Sequence, residues 1–154
     1  MKALILYDSQ FGNTEKIAQA VASSIPLAKL LRASEVSIKD LKDINLLIVG
    51  SPTHGGRATE SLQRFFDQIS EGALADVDIA VFDTRFLESD LNFALRLLVK
   101  TVGYAAPKMA TVLAGKGGKL IVPPEGFIVT GKEGPLAPSE IERAKEWIKK
   151  MKLR

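Results

Sequence analysis

The chain has 154 residues, 46% of them hydrophobic and 25% charged, enough for one full core with no shift in composition that asks for a second domain, so residues 1–154 are expected to form a single unit. With no cysteine and one histidine, disulfides, thiolate chemistry and cysteine- or histidine-rich metal sites are excluded, and no metal is expected. The net charge of +3 and a pI near 9.2 owe much to Lys145, Lys149, Lys150 and Lys152, but these alternate with Glu140, Glu142 and Glu146 and lack interleaved aromatics, which describes a solvated helix face and not a nucleic-acid surface.

In chain order, the continuous apolar run within Lys2 to Tyr7 predicts a buried strand, and Ile17, Ala18, Val21, Ala22 and Ile25 recur at helical spacing. Between them lies Ser9-Gln10-Phe11-Gly12-Asn13-Thr14. N–H groups at the mouth of a helix have no intrahelical acceptors and the helix dipole adds positive charge, so with the hydroxyls of Ser9 and Thr14 this run suits a phosphate without any cationic side chain. It lacks the glycine spacing of a dinucleotide fingerprint and the Gly-Lys-Ser/Thr ending of a P-loop; a plain helix cap is the alternative for Asn13 and Thr14.

A weaker strand, Leu27 to Arg32, and a polar link, Ser37 to Asp43, precede the clearest strand, Leu46 to Val49, which ends in Gly50-Ser51-Pro52-Thr53-His54-Gly55-Gly56. Leu62, Phe65, Phe66 and Ile69 mark the inward face of a helix begun near Thr59 or Ser61. A fourth strand, Ile79 to Phe82, is expected to run into a loop, Asp83-Thr84-Arg85-Phe86. Ser89 is expected to cap a helix that turns Leu91, Ala94, Leu95, Leu98 and Val102 inward and ends at Gly103, with another from Pro107 to Gly115. The fifth strand, Leu120 to Val122, is broken by Pro123-Pro124 and resumes at Phe127 to Val129. Ser139 and Glu142 predict a capping box for a last helix that buries Ile141, Ala144, Trp147, Ile148 and Met151.

Strands alternating with helices predict an α/β, doubly wound, three-layer fold with a five-stranded parallel sheet. In the order 2-1-3-4-5 the segments 9–14, 52–56 and 83–86 all follow neighbouring strands and converge on one crevice beyond their carboxyl ends, where such sheets bind ligands. No secretory leader and no membrane-spanning run are recognisable, and a cytoplasmic protein without membrane insertion is expected.

SQFGNT, LLIVGSPTHGG and AVFDTRF resemble the phosphate loop and the two flavin loops of flavodoxins and flavodoxin-like FMN proteins, and the similarity extends over nearly the whole chain. The resemblance implies noncovalently bound FMN. Ser9, Gln10, Phe11, Gly12, Asn13 and Thr14 would wrap its phosphate, Pro52, Thr53, His54, Gly55 and Gly56 would line one side of the isoalloxazine, and Asp83, Thr84, Arg85 and Phe86 the other. It also implies that the backbone at Gly55 can turn its carbonyl toward N5 of the reduced ring, a rotation that glycine makes cheap.

Two departures bear on chemistry. Many electron-carrying flavodoxins have a large aromatic where this chain has His54 and a tyrosine where it has Phe86, and those carriers are strongly acidic whereas this chain is basic. Arg57 and Arg85, if near the ring, would favour its reduced anion and raise the potential. The resemblance implies electron transfer with a redox partner protein or a small donor or acceptor; the alternative is a small FMN-dependent NAD(P)H or quinone oxidoreductase. A phospho-acceptor receiver domain is disfavoured because the third strand ends in Gly50-Ser51-Pro52 and not in aspartate. A hydrolase built on Ser9, His54 and Asp83 lacks the elbow motif around a nucleophilic serine, so no catalytic side chain is assigned.

Overall fold

The computed structural model describes residues 1–87, 89 and 91–153. Strands β1 (Ala3–Tyr7), β2 (Lys29–Arg32), β3 (Leu46–Pro52), β4 (Asp78–Phe86), β5 (Lys119–Leu120) and β6 (Glu125–Val129) form one parallel sheet. Its order is β2-β1-β3-β4-β5, with β6 also on β4. β5 pairs with the start of β4 through Asp78 and Ile79, and β6 with its end, from Phe82 to Phe86. The two are the halves of the expected interrupted fifth strand, separated by Pro123-Pro124, where proline nitrogens cannot donate to a ladder.

Helices α1 (Asn13–Ser23) and α5 (Glu140–Lys149) cover one face of the sheet; α2 (Glu60–Gln68) and α4 (Ala105–Gly115) cover the other. Alternate residues of the strands feed the two cores. Ile5, Ile48, Ala80 and Phe82 pack with Ile17, Val21 and Trp147, whereas Leu4, Leu6, Val49 and Val81 pack with Leu62, Phe66, Met109 and Leu113. Phe82, Phe127 and Trp147 meet edge to face at 5.7 to 6.0 Å, a favourable aromatic geometry. Phe82 fits because its neighbour across the ladder is Gly50: a β-carbon there would lie 2.0 Å from the ring.

Several local expectations are corrected. Asp83 to Phe86 is not a loop but the last part of β4, because Pro52, Thr53 and β6 provide ladder partners as far as Phe86. Ile25 is buried but lies beyond the end of α1. Helix α3 (Phe93–Val102) is capped by Asn92, whose side chain accepts from the Leu95 N–H at 2.9 Å, and not by Ser89. Its apolar residues are not buried as expected: Leu95, Leu98 and Val102 face a groove beside Gly55 and Gly56, but α3 contains no buried residue and Phe93 is 83% exposed. The Ser139–Glu142 capping box does not form, since Glu142 pairs with Lys145 and Ser139 makes no side-chain cap. Glu140 takes over the helix start, accepting from the Ile128 N–H at 2.6 Å and from Arg143.

Candidate functional site

Asp8 to Gly12 is stapled by its own polar groups. The Ser9 N–H donates to Asp8 Oδ1 at 2.9 Å, and the Gly12 N–H donates to Ser9 Oγ at 3.0 Å, which leaves the hydroxyl proton of Ser9 available to a further acceptor. Gly12 has φ +90°, in the left-handed region that side chains rarely adopt, and this turns the chain into α1. The first intrahelical bond, Lys16 N–H to Gly12 carbonyl at 3.1 Å, lies beyond the N–H groups of Asn13, Thr14 and Glu15, which therefore have no intrahelical acceptor. Outside the loop, Arg32 braces it by donating to the Ser9 carbonyl at 2.9 Å and pairs with Asp8 at 3.8 Å and Glu15 at 3.2 Å.

The second wall follows β3. The Thr53 N–H donates to the Thr84 carbonyl, and His54 and Arg57 exchange backbone bonds of 2.9 and 3.0 Å around Gly55-Gly56. Both glycines have positive φ, +56° and +78°, as a tight two-residue reversal demands. Gly56 is also pressed against Val102 and Gly103, so a side chain would collide with the end of α3.

These segments surround an open-mouthed recess lined by Ser9, Gln10, Phe11, Asn13, Thr14, Pro52, Thr53, His54, Thr84, Val129 and Lys132. Nine of the residues singled out from sequence are thus brought together, and Gly12 shapes their turn. Gly55, Gly56 and Phe86 border a second, more apolar groove that shares Thr53 with the first and runs under Leu91, Leu95 and Leu98 to Tyr104.

Asp83 and Arg85 lie elsewhere. Asp83 is fully buried, holds Arg85 in a two-pronged ion pair at 2.6 Å and accepts from the Ala106 N–H at 2.8 Å, while Thr53 Oγ1 accepts from the Ala105 N–H at 3.1 Å. The start of α4 is thereby fastened to β3 and β4. Burial pushes the Asp83 carboxyl above its ordinary value, opposed by its bonds to Arg85 and Ala106. The Arg85 guanidinium lies 3.6 Å from the centre of the Tyr104 ring. Arg57 borders a separate hollow beside Phe66 and Met109, so neither arginine lines the recess.

Val129 and Lys132 were not singled out from sequence. The usable signal was Gly131-Lys132-Glu133-Gly134-Pro135, a turn at the carboxyl end of a strand, the same topological position as the other loops. The donor set at α1 suits a phosphate: unsatisfied N–H groups, small hydroxyls and an amide, with no carboxylate among the lining residues.

Comparison with known proteins agrees with this architecture. A flavodoxin family model matches residues 5–86. A flavodoxin of Aquifex aeolicus is 33% identical over 85 residues, spanning 50% of this chain and 44% of that protein. An uncharacterized protein of Methanocaldococcus jannaschii is 32% identical over 105 residues, 68% of this chain and 69% of that one. The crystal structure of oxidised flavodoxin 1 from Bacillus cereus superimposes with a TM-score of 0.75 over 97% of this chain and 96% of that one, at 16% identity, a likeness of fold. Family model, relatives and strand order concur: this chain belongs to the flavodoxin family, whose members bind FMN noncovalently.

Proposed function

We propose that residues 1–154 act as one flavodoxin-like domain that binds a single FMN across this crevice and exchanges electrons with a redox partner protein or a small donor or acceptor. The observation that carries the reading is the convergence of Ser9 to Thr14, Pro52 to His54 and Thr84 on one recess at the carboxyl ends of β1, β3 and β4. The first turn of α1 and the Ser9 hydroxyl would hold the phosphate, and His54 and Phe86 would flank the ring. The bound flavin supplies the redox chemistry.

The protein's own part is to bind, orient and exclude water. Phe86, Leu91 and Leu95 give the adjoining groove an apolar wall, against which a bound ring would displace water. Gly55 is the residue whose backbone can reorient cheaply beside the ring, because it has no side chain and a positive φ that glycine adopts without strain. The buried Asp83–Arg85 pair fixes Thr53 and the start of α4 behind the ring-facing loop.

The test is the visible spectrum of purified protein, incubated with FMN and reduced stepwise by anaerobic light. A bound yellow chromophore with a long-lived one-electron stage supports a carrier. Direct two-electron bleaching, together with NAD(P)H oxidation or quinone reduction, supports the oxidoreductase alternative; absence of any bound flavin overturns the reading.

A further inference from the structure

We infer that Lys132 recognises the phosphate of the flavin and makes the site select a phosphorylated flavin over riboflavin. This rests on the proposed FMN site and adds a residue from outside its three loops.

After β6 the chain folds back on itself. The Thr130 N–H and hydroxyl both donate to the Pro135 carbonyl at 2.9 Å, and Val129 bridges to Leu136. The tip of this reversal is fastened to the phosphate loop: Asn13 Nδ2 donates to the Glu133 carbonyl at 3.1 Å, and Gly134 sits so close that a β-carbon would lie 2.5 Å from Asn13 Oδ1. Lys132 is consequently held over the start of α1 by backbone, while its own side chain is exposed and lines the recess with Ser9, Asn13 and Thr14.

Charge points the same way. Lys132 is the one Lys, Arg, Asp or Glu lining the recess, and among the described residues no carboxylate pairs with it. Arg32, the other cation at the loop, is shared between Asp8 and Glu15 on the outer side, so that one positive charge faces two negative ones there. A phosphate dianion arriving at the α1 terminus would meet that negative excess, and the helix dipole alone acts over a single turn. An ammonium on a flexible stem is suited to meet a phosphate oxygen without a fixed geometry.

The test compares dissociation constants of FMN and riboflavin for apo-protein, K132Q and K132R, read by quenching of flavin fluorescence at low and high salt. For K132Q, FMN binding is expected to weaken about tenfold, equal to about 1.4 kcal/mol, with riboflavin binding unchanged. K132R should stay near the parent, and salt should weaken FMN binding more in the parent than in K132Q, because exposed charges are screened. Since Lys132 is exposed, equal melting temperatures will show that K132Q is folded. If the parent binds FMN but K132Q weakens both ligands equally or neither, the role of Lys132 is overturned and the FMN site stands. If the parent binds neither flavin, the site reading itself falls, and this inference with it.

Discussion

The hydroxyls of Thr14 and Thr84, seventy positions apart, meet at 2.8 Å in a buried contact that ties the first turn of α1 to the end of β4. Either hydroxyl can be the donor, and the arrangement couples the start of α1 to the end of β4 across the recess. Both threonines line the recess, so the contact links folding of the site to its shape.

Thr84→Val keeps the branched shape but leaves the buried Thr14 hydroxyl without its partner. An unsatisfied buried hydroxyl costs roughly 1–3 kcal/mol, and the apo-protein is expected to lose about that much in urea unfolding. FMN affinity should fall as well, measured by fluorescence titration; an unchanged midpoint with an unchanged slope would show that water replaces the bond.

Gly50→Ala should be among the most damaging small substitutions, because its methyl would overlap the buried Phe82 ring. Overpacking costs of about 3 kcal/mol are expected. Phe82→Leu in the same chain should recover part of that loss, and the double-mutant cycle reads the coupling directly; additive losses would disprove the collision.

Two carboxylates give opposite pH dependences. Burial raises Glu140, but the bonds from Arg143 and the Ile128 N–H outweigh it and leave its carboxyl below the ordinary 4.5. Its contribution is therefore complete above 4.5 and lost as pH falls through the lower folded value. Asp83 is raised above its ordinary 3.8, so the folded state holds its proton more tightly, and stability contributed by that group declines as pH rises from 3.8 through the folded value. Urea midpoints across acid pH should show a shallower acid loss in Glu140→Gln. An unaltered acid limb would remove Glu140 from the account.

Helix α3 has no buried residue, whereas α4 buries Ala105, Ala106, Met109, Ala110 and Leu113. Amide exchange should accordingly be much faster in Phe93 to Val102 than in Ala105 to Gly115. Phe93→Ser, at an 83% exposed position, should change stability by no more than about 0.5 kcal/mol. Slow exchange throughout α3 would mean that its apolar side is covered in solution.

Ligand linkage offers a check independent of colour. FMN at a hundred times its dissociation constant should stabilise the folded protein by about 2.7 kcal/mol, seen as a higher melting temperature. A folded apo-protein whose midpoint ignores saturating FMN would contradict the assignment of the site.

Much of this architecture is legible in local order. The apolar run of β1, the helical spacing of α1 and the small polar residues between them are neighbours in sequence, so their structure follows from periodicity and turn chemistry. The same holds for β3 and its glycine turn, and for the proline break between β5 and β6. The α3 expectation failed because periodicity reports that a helix has an apolar side, and says nothing of whether another element arrives to bury it. The capping-box expectation failed because Glu140 found a stronger set of partners in Ile128 and Arg143 than Ser139 could offer Glu142.

Local order alone carries the alternating strands and helices and the small polar turn between β1 and α1, because each rests on residues within one turn or strand of one another. The sheet order, in contrast, joins distant segments and follows from the alternation only through the general rules of doubly wound sheets. Contacts between distant segments are what bring Thr84 to Thr14, engage Arg85 with Asp83 and Tyr104, and set Lys132 at the recess. The first two depend on which face of β4 a side chain occupies, which a one-residue shift of register would reverse, and the third on the turn after β6 folding back onto the start of α1.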